Sequence, residues 1–316
     1  MCLLLVVVVF FDVKWDYSRS GTTFDMSKDM IDKIDCPIIF NGMGIDISNQ
    51  EENLDCLNKF IDFFEHIINK SNVIVSVRND DSKKKILKYI GKSAIDKIWV
   101  IPDEGFFTTA NDYYHPEIPC NKKIIAINTA KDRIKERWSN SDFDYTRYCS
   151  EMSLFINEYL TYEKDVHFVF VPHIPSDIDA AYDIIKNIDD PFARRNISVA
   201  PYLNGLNTNG DYVVDLYRKC DLVIGMRYHS NICAIAMGTP TLAIFTLQKH
   251  IELYNNLGYM NRLVSVNKCS FIKKIRNEVN KILNNRAYFA NENIKLVKQL
   301  SNDILGYFGD INDMLS

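Results

Sequence analysis

The chain has 316 residues, 47 % of them hydrophobic, with 37 Lys and Arg against 41 Asp and Glu for a formal net charge of -4. That is enough apolar material for two domain cores, since domains commonly run about 100 to 200 residues. No stretch concentrates Lys and Arg strongly enough to track a polyanion, which argues against a nucleic-acid partner; KKK at 83–85, the densest basic run, reads as a solvated helix face. The eight cysteines stand singly, with no CxxC pair. This pattern favours reduced thiols in a cytoplasmic protein over a disulfide framework or a zinc site, and no other cluster has metal-ligand spacing.

Taken in chain order, residues 3–11, LLLVVVVFF, are too short for a membrane span, which needs about 20 residues. They also lack the preceding basic residue and the following small-residue site of a signal peptide, and are predicted to form a buried parallel strand. Further β-rich runs recur at 37–40, 72–77, 97–101, 122–127, 167–171, 197–200, 221–224, 241–245 and 262–266. Helical patterns lie between most of them, at 51–70, 82–90, 145–162, 177–188, 212–219, 230–237 and 272–283. Strands that are apolar throughout, alternating with helices, predict an α/β protein with parallel sheets covered on both faces. The segment 103–121, with two prolines and no sustained period, is the most irregular and marks the lobe boundary. The expected division is a first lobe at 1–119, a second at 120–290, and a closing segment at 291–316 whose amphipathic helix can cross back onto the first lobe.

In DLVIGMRYHS the apolar run ends at Gly225 and the next helix begins near Ser230, so Arg227, Tyr228 and His229 fall in the turn at the strand's carboxyl end. Ligands of open α/β sheets bind at that end. The helix start offers free N–H groups and a positive dipole end to an anion, and Arg227 can add a two-pronged clamp on phosphate or carboxylate. His229 is placed for proton transfer, because imidazole titrates near neutrality. The structural alternative is that Arg227 pairs with a core carboxylate while His229 caps the helix.

This segment resembles the polysaccharide pyruvyl transferases. Their second-lobe segment reads aspartate, apolar strand, glycine, any residue, arginine, any residue, histidine, then a small-residue helix closed by glycine-any-proline. Asp221, Gly225, Arg227, His229, Gly238 and Pro240 stand in that order, and Lys249, Leu257 and Gly258 resemble the lysine and the leucine-glycine pair that come after it in the family. In the first half, Ser76, Arg78, Asp80, Ser82 and Gly91 are similar to a strand, arginine and acidic-loop segment of the family. Pro102 with Asp103 and Gly42 with Gly44 resemble its strand-proline-aspartate and glycine-any-glycine pieces. Asn128, and His173 with Asp177 or Asp179, resemble two strand ends of the second half, so that the likeness runs from about residue 37 to 260.

The resemblance implies two facing Rossmann-like lobes, as in the GT-B glycosyltransferases, and transfer of a pyruvyl group from phosphoenolpyruvate to a saccharide acceptor as a ketal, with no further cofactor. Two anionic groups on the donor need two cationic anchors, and the resemblance assigns them to Arg78 and Arg227, one from each lobe. It makes His229 the proton-transfer group and Lys249 a cation for the departing phosphate. Ser230, Asn128, His173, Asp103, Gly42 and Gly44 become substrate-binding positions. Each has a plain alternative: a local ion pair for Arg78, a surface position for Lys249, a structural histidine at His173, and a turn cap at Asp103. Residues 1–36 contain no asparagine-glycine-aspartate loop of the kind that follows the first strand in family members, so the first, acceptor-side lobe is expected to be short of at least one βα unit. The competing functions are a GT-B glycosyltransferase with a nucleotide-sugar donor and a non-catalytic binding protein derived from the family.

Overall fold

The structure, a computed structural model, describes residues 3–6, 11–47, 54–90, 96–138, 143–202, 209–266 and 271–316. The chain forms two compact units, one of residues 1–104 with 299–316 and the other of residues 105–298. Among the described residues no helix is long and apolar enough to cross a membrane.

The first unit runs β1 (Leu3–Val6), β2 (Phe11–Asp12), α1 (Lys28–Asp32), β3 (Ile38–Met43), β4 (Ile45–Asp46), α2 (Leu54–Ile68), β5 (Val73–Arg78), α3 (Ser82–Leu87) and β6 (Ile98–Ile101). Its main sheet is parallel with order β1-β3-β5-β6, and β2 pairs with β4 in a short parallel ribbon. The expected amino-terminal strand is therefore present as β1, while residues 7–10 of that run lie outside the described residues. The apolar face of α2 supplies Phe60, Phe63 and Phe64, which meet Phe11 and Phe40 in tilted and edge-on ring contacts at 5.3 to 6.4 Å, the geometry that aromatic quadrupoles favour. All five rings are buried, so this cluster is the unit's core.

The second unit holds β7 (Lys123–Asn128), α4 (Ile134–Arg137), α5 (Tyr145–Tyr162), β8 (Val166–Phe170), α6 (Pro175–Ile185), α7 (Asp190–Asn196), β9 (Ile197–Val199), α8 (Asn209–Arg218) and β10 (Leu222–Gly225). It continues through α9 (Tyr228–Ala236), β11 (Thr241–Phe245), α10 (Gln248–Asn256), β12 (Leu263–Ser265) and α11 (Phe271–Asn284). Its six strands are parallel in the order β12-β11-β10-β7-β8-β9. Successive β7 side chains alternate faces. Ile125 and Ile127 join one core with Phe155, Phe168, Leu222 and Ile282, whereas Ile124 and Ala126 join another with Leu216, Tyr217, Val223 and Ala234. Burial on both faces is what the continuous apolar strands encode. Strand order reverses direction between β7 and β10, and that pair sits side by side with Asn128 opposite Gly225.

α12 (Arg286–Asp303) and α13 (Leu305–Leu315) close the chain, and residues from Gln299 onward count with the first unit. There Tyr307 bonds to Ser76 and Asn41, and Trp99 donates to Asp310.

The unit division falls at Glu104, not at the expected residue 119. The reason is a buried polar cluster that ties the irregular segment to α8. Tyr113 N–H donates to Asp215 Oδ2 at 2.8 Å, His115 Nε2 lies 2.9 Å from the same carboxylate, and Tyr212 hydroxyl donates to Glu117. Burial pushes the Asp215 pKa up, but hydrogen bonds from Tyr113, Arg218, His115 and Lys219 outweigh it and hold the carboxyl well below its ordinary range. A carboxylate depressed in the folded state contributes stability that is present above its unfolded pKa, about 3.9, and is lost as pH falls below it. The melting temperature is thus expected to drop between pH 5 and pH 3, and by less in Asp215→Asn; equal drops in thermal melts of the two proteins would contradict this role.

Candidate functional site

The carboxyl ends of β7, β8, β10 and β11 converge on one cluster in the second unit, at the point where the strand order reverses, which is the ligand position of open α/β sheets. Gly225 ends β10 because α9 starts too close to accept a side chain. A Cβ there would lie 2.5 Å from Ser230 Oγ and 2.7 Å from Asn231 Nδ2. Arg227 then takes the extended conformation of an N-cap, with Tyr228 and His229 opening the helix. Gly238, at φ +73°, closes α9, a left-handed position that glycine adopts without a Cβ penalty.

Asn128 and Ser230, expected to bind substrate, turn out to build this turn. Asn128 Nδ2 donates to Val171 O at 2.9 Å, and its Oδ1 accepts the Arg227 N–H at 2.9 Å. One buried amide thereby links the ends of β7 and β8 to the start of α9. Ser230 Oγ and Asn231 Nδ2 both donate to Arg227 O, and Asn231 is held in turn by the Tyr254 hydroxyl.

The Arg227 side chain forms a two-pronged pair with Asp177, Nε to Oδ2 at 2.7 Å and Nη2 to Oδ1 at 2.5 Å. Nη2 also reaches Asp132 Oδ1 at 2.9 Å. The arginine thus has the core carboxylate of the structural alternative. Burial works against its charge, yet Asp177 and Asp132 more than compensate and raise its pKa above the ordinary value. Asp177 is fixed as well: its Oδ2 accepts the backbone N–H groups of His173 and Ile174 at the start of α6. His173 Nε2 lies 2.7 Å from the Tyr217 hydroxyl. Enclosure, with Arg227 and His229 adding positive charge nearby, outweighs the pull of Asp177 and brings the His173 pKa down to about 4. It is a neutral imidazole at neutral pH. His229 stands beside this group, stacked edge-on against Tyr228.

Two members of the cluster, Arg137 and Asp132, are not among the residues expected from the sequence. Arg137 Nη1 donates to Thr246 Oγ1 at 2.9 Å just past β11, and its Nη2 lies 3.3 Å from Asp132 Oδ1. Asp132 therefore sits between Arg137 and Arg227. The pattern that could have revealed them is DRIKER, an acid and an arginine five positions apart beginning four residues beyond Asn128.

The remaining expected site residues lie in the first unit or on α10. Arg78 is only 4 % exposed and is flanked by Asp80 at 3.0 Å and Asp103 at 3.2 Å. Enclosed between two carboxylates, Arg78 takes the ion pairing that was its plain alternative and is not an open anchor for an anion, and Asp103 is one of its partners. Gly44 is explained by the same arginine, since a Cβ would meet Arg78 Nη2 at 2.2 Å. Gly42 takes φ +62° and donates its N–H to Ser76 Oγ, so both glycines serve the local backbone. Lys249 belongs to α10, but its side chain lies outside the described part of the structure, as does Gly91.

Solved structures share this arrangement of parallel sheets flanked by helices. A protein assigned as a UDP-N-acetylglucosamine 2-epimerase from Listeria monocytogenes matches with TM-score 0.57 at 13 % identity, over 98 % of this chain and 74 % of that one. The UDP complex of MnaA from S. aureus matches with 0.54 at 11 % identity, over 98 % and 75 %. A UDP-forming trehalose-phosphate synthase from Burkholderia vietnamiensis matches with 0.51 at 14 % identity, over 90 % and 70 %. These likenesses define the fold class as that of the GT-B enzymes. No curated protein matches the sequence. Residues 13–244 match polysaccharide pyruvyl transferase, and the chain belongs to that family of glycan-modifying transferases.

Gly225→Ala is expected to lower stability by about 1 to 3 kcal/mol through overpacking at the Arg227 turn. Chemical denaturation of the two proteins checks this, and an unchanged midpoint would show that the turn has room to relax.

Proposed function

We propose that the second-unit site takes phosphoenolpyruvate as donor and that the protein transfers its pyruvyl group to a saccharide as a ketal. The observation that carries the reading is the placement of Arg227 and His229 together at the start of α9, beyond the carboxyl end of β10, in a chain of this family. A helix start and a guanidinium suit an anionic donor. In the reaction C2 of the donor gains bonds to two sugar oxygens while the C2–C3 double bond becomes single and the C2–O bond to phosphate breaks; of the two protons that the sugar hydroxyls lose, one goes to the methylene carbon and the other leaves on the phosphate. His229 serves the proton transfer and fixed cations of the site stabilise the departing phosphate. His173, neutral and bonded to Tyr217, positions the group without contributing charge. The free cysteines of the described residues support a reducing, cytoplasmic setting.

A nucleotide-sugar donor is the competing reading, because solved structures of the same fold include a UDP-forming synthase and a complex with UDP. Calorimetric titration separates the two: phosphoenolpyruvate is expected to bind more tightly than UDP, and the reverse order would favour glycosyl transfer. With a panel of saccharides, the protein is expected to release inorganic phosphate from phosphoenolpyruvate. His229→Gln should lower kcat by about 10² to 10⁴-fold, the usual contribution of a positioned acid or base. Arg227→Lys keeps the charge but loses the planar fork, and is expected to raise KM. Phosphate release that is the same in both variants as in the wild type would overturn the assignment.

A further inference from the structure

Asp132 is more exposed than the other acid and the two arginines of the second-unit cluster. It lies in the loop between β7 and α4, outside any helix or strand, and is followed by Arg133 in the left-handed region at φ +53°, an uncommon conformation for a residue with a Cβ. Its side chain is 27 % exposed, against 15 % for Arg227, 4 % for Arg137 and 1 % for Asp177. A single oxygen, Oδ1, is shared by Nη2 of Arg227 at 2.9 Å and Nη2 of Arg137 at 3.3 Å. Asp177, by contrast, grips Arg227 with both oxygens, accepts two backbone N–H groups and is enclosed. One carboxylate is built into the scaffold. The other stands at the accessible side of two guanidinium groups.

Those two guanidinium groups require an anion between them. Burial lowers the pKa of Arg137, and the charges of Arg227 and Arg133 lower it further, while Asp132 opposes them. Two arginines and two aspartates balance in charge. Exchanging Asp132 for a ligand oxyanion keeps the arginines neutralised, and the displaced carboxylate moves toward the solvent that it already meets. A phosphate or a carboxylate presents the two or more oxygens that a pair of guanidinium groups can share, whereas Asp132 offers them one.

We propose that Asp132 is an internal stand-in for the donor's anion: its carboxylate occupies the place between Arg137 and Arg227 that the ligand's phosphate or carboxylate takes, and it leaves that place on binding. This assigns Arg137, not Arg78, as the second cationic anchor, and it makes Asp132 a residue that competes with substrate. The inference rests on the reading of this cluster as the donor site.

The test is calorimetric titration of the full chain and of Asp132→Asn with inorganic phosphate and with phosphoenolpyruvate, alongside thermal melts with and without phosphate. Removing the competing charge is expected to tighten binding of both probes by about tenfold or more. It should also lower the melting temperature in phosphate-free buffer, with phosphate restoring it, because the added anion replaces the lost carboxylate. Wild-type binding with no tightening in the variant overturns the stand-in role alone and leaves the donor site in place. A variant that stays unfolded when phosphate is present overturns it too, since an added oxyanion then fails to substitute for Asp132. Absence of binding of either probe to both proteins overturns the stand-in and the donor-site reading together.

Discussion

The two-pronged pair between Arg227 and Asp177 is the interaction on which the second unit's site depends. Asp177 is 1 % exposed, so removal of its partner would leave a buried, uncompensated charge, at a cost of about 3 to 5 kcal/mol. The pair also joins pieces that are far apart in sequence. Asp177 holds the start of α6 through two backbone N–H groups, and Arg227 is the N-cap of α9. Asn128 completes the arrangement from β7, with its amide spanning Val171 and Arg227. Three strand ends are thereby locked at the place where the strand order reverses, and His173, Tyr217 and His229 take their positions from that lock.

The first unit repeats the device with a different outcome. Arg78 ends β5 and is held between Asp80 and Asp103, as Arg227 is held between Asp177 and Asp132. Both flanking carboxylates of Arg78 are as enclosed as the arginine itself, and Gly44 packs directly on its guanidinium. Around Arg227 one of the two carboxylates is open to solvent. The two arginines, one ending β5 and the other just beyond β10, are thus enclosed to different degrees, and the difference lies in the exposure of the second partner.

Much of the architecture was legible in the chain. Strands such as residues 241–245 and the helix at 145–162 appear where apolar runs and helical periodicity put them, because burial on both faces leaves little freedom in what a parallel strand can contain. Gly225, Arg227 and His229 were legible as a strand-turn-helix junction for the same reason. What could not be read were pairings set by the tertiary fold. Nothing local tells that Asn128 spends its amide on Val171 and Arg227, that Arg78 is enclosed, or that Arg137 reaches Thr246 across 109 positions of sequence. The unit division was misplaced because the irregular composition of 105–119 conceals His115 and Glu117, whose partners lie on α8 about a hundred residues later.

The most direct test of the donor site is an experimental structure of the protein bound to phosphoenolpyruvate. The expected result is an oxyanion of the ligand within hydrogen-bonding distance of the Arg227 guanidinium and the first N–H groups of α9, with the methylene carbon facing His229. Ligand bound elsewhere on the chain, with Arg227 and His229 uncontacted, would contradict the assignment.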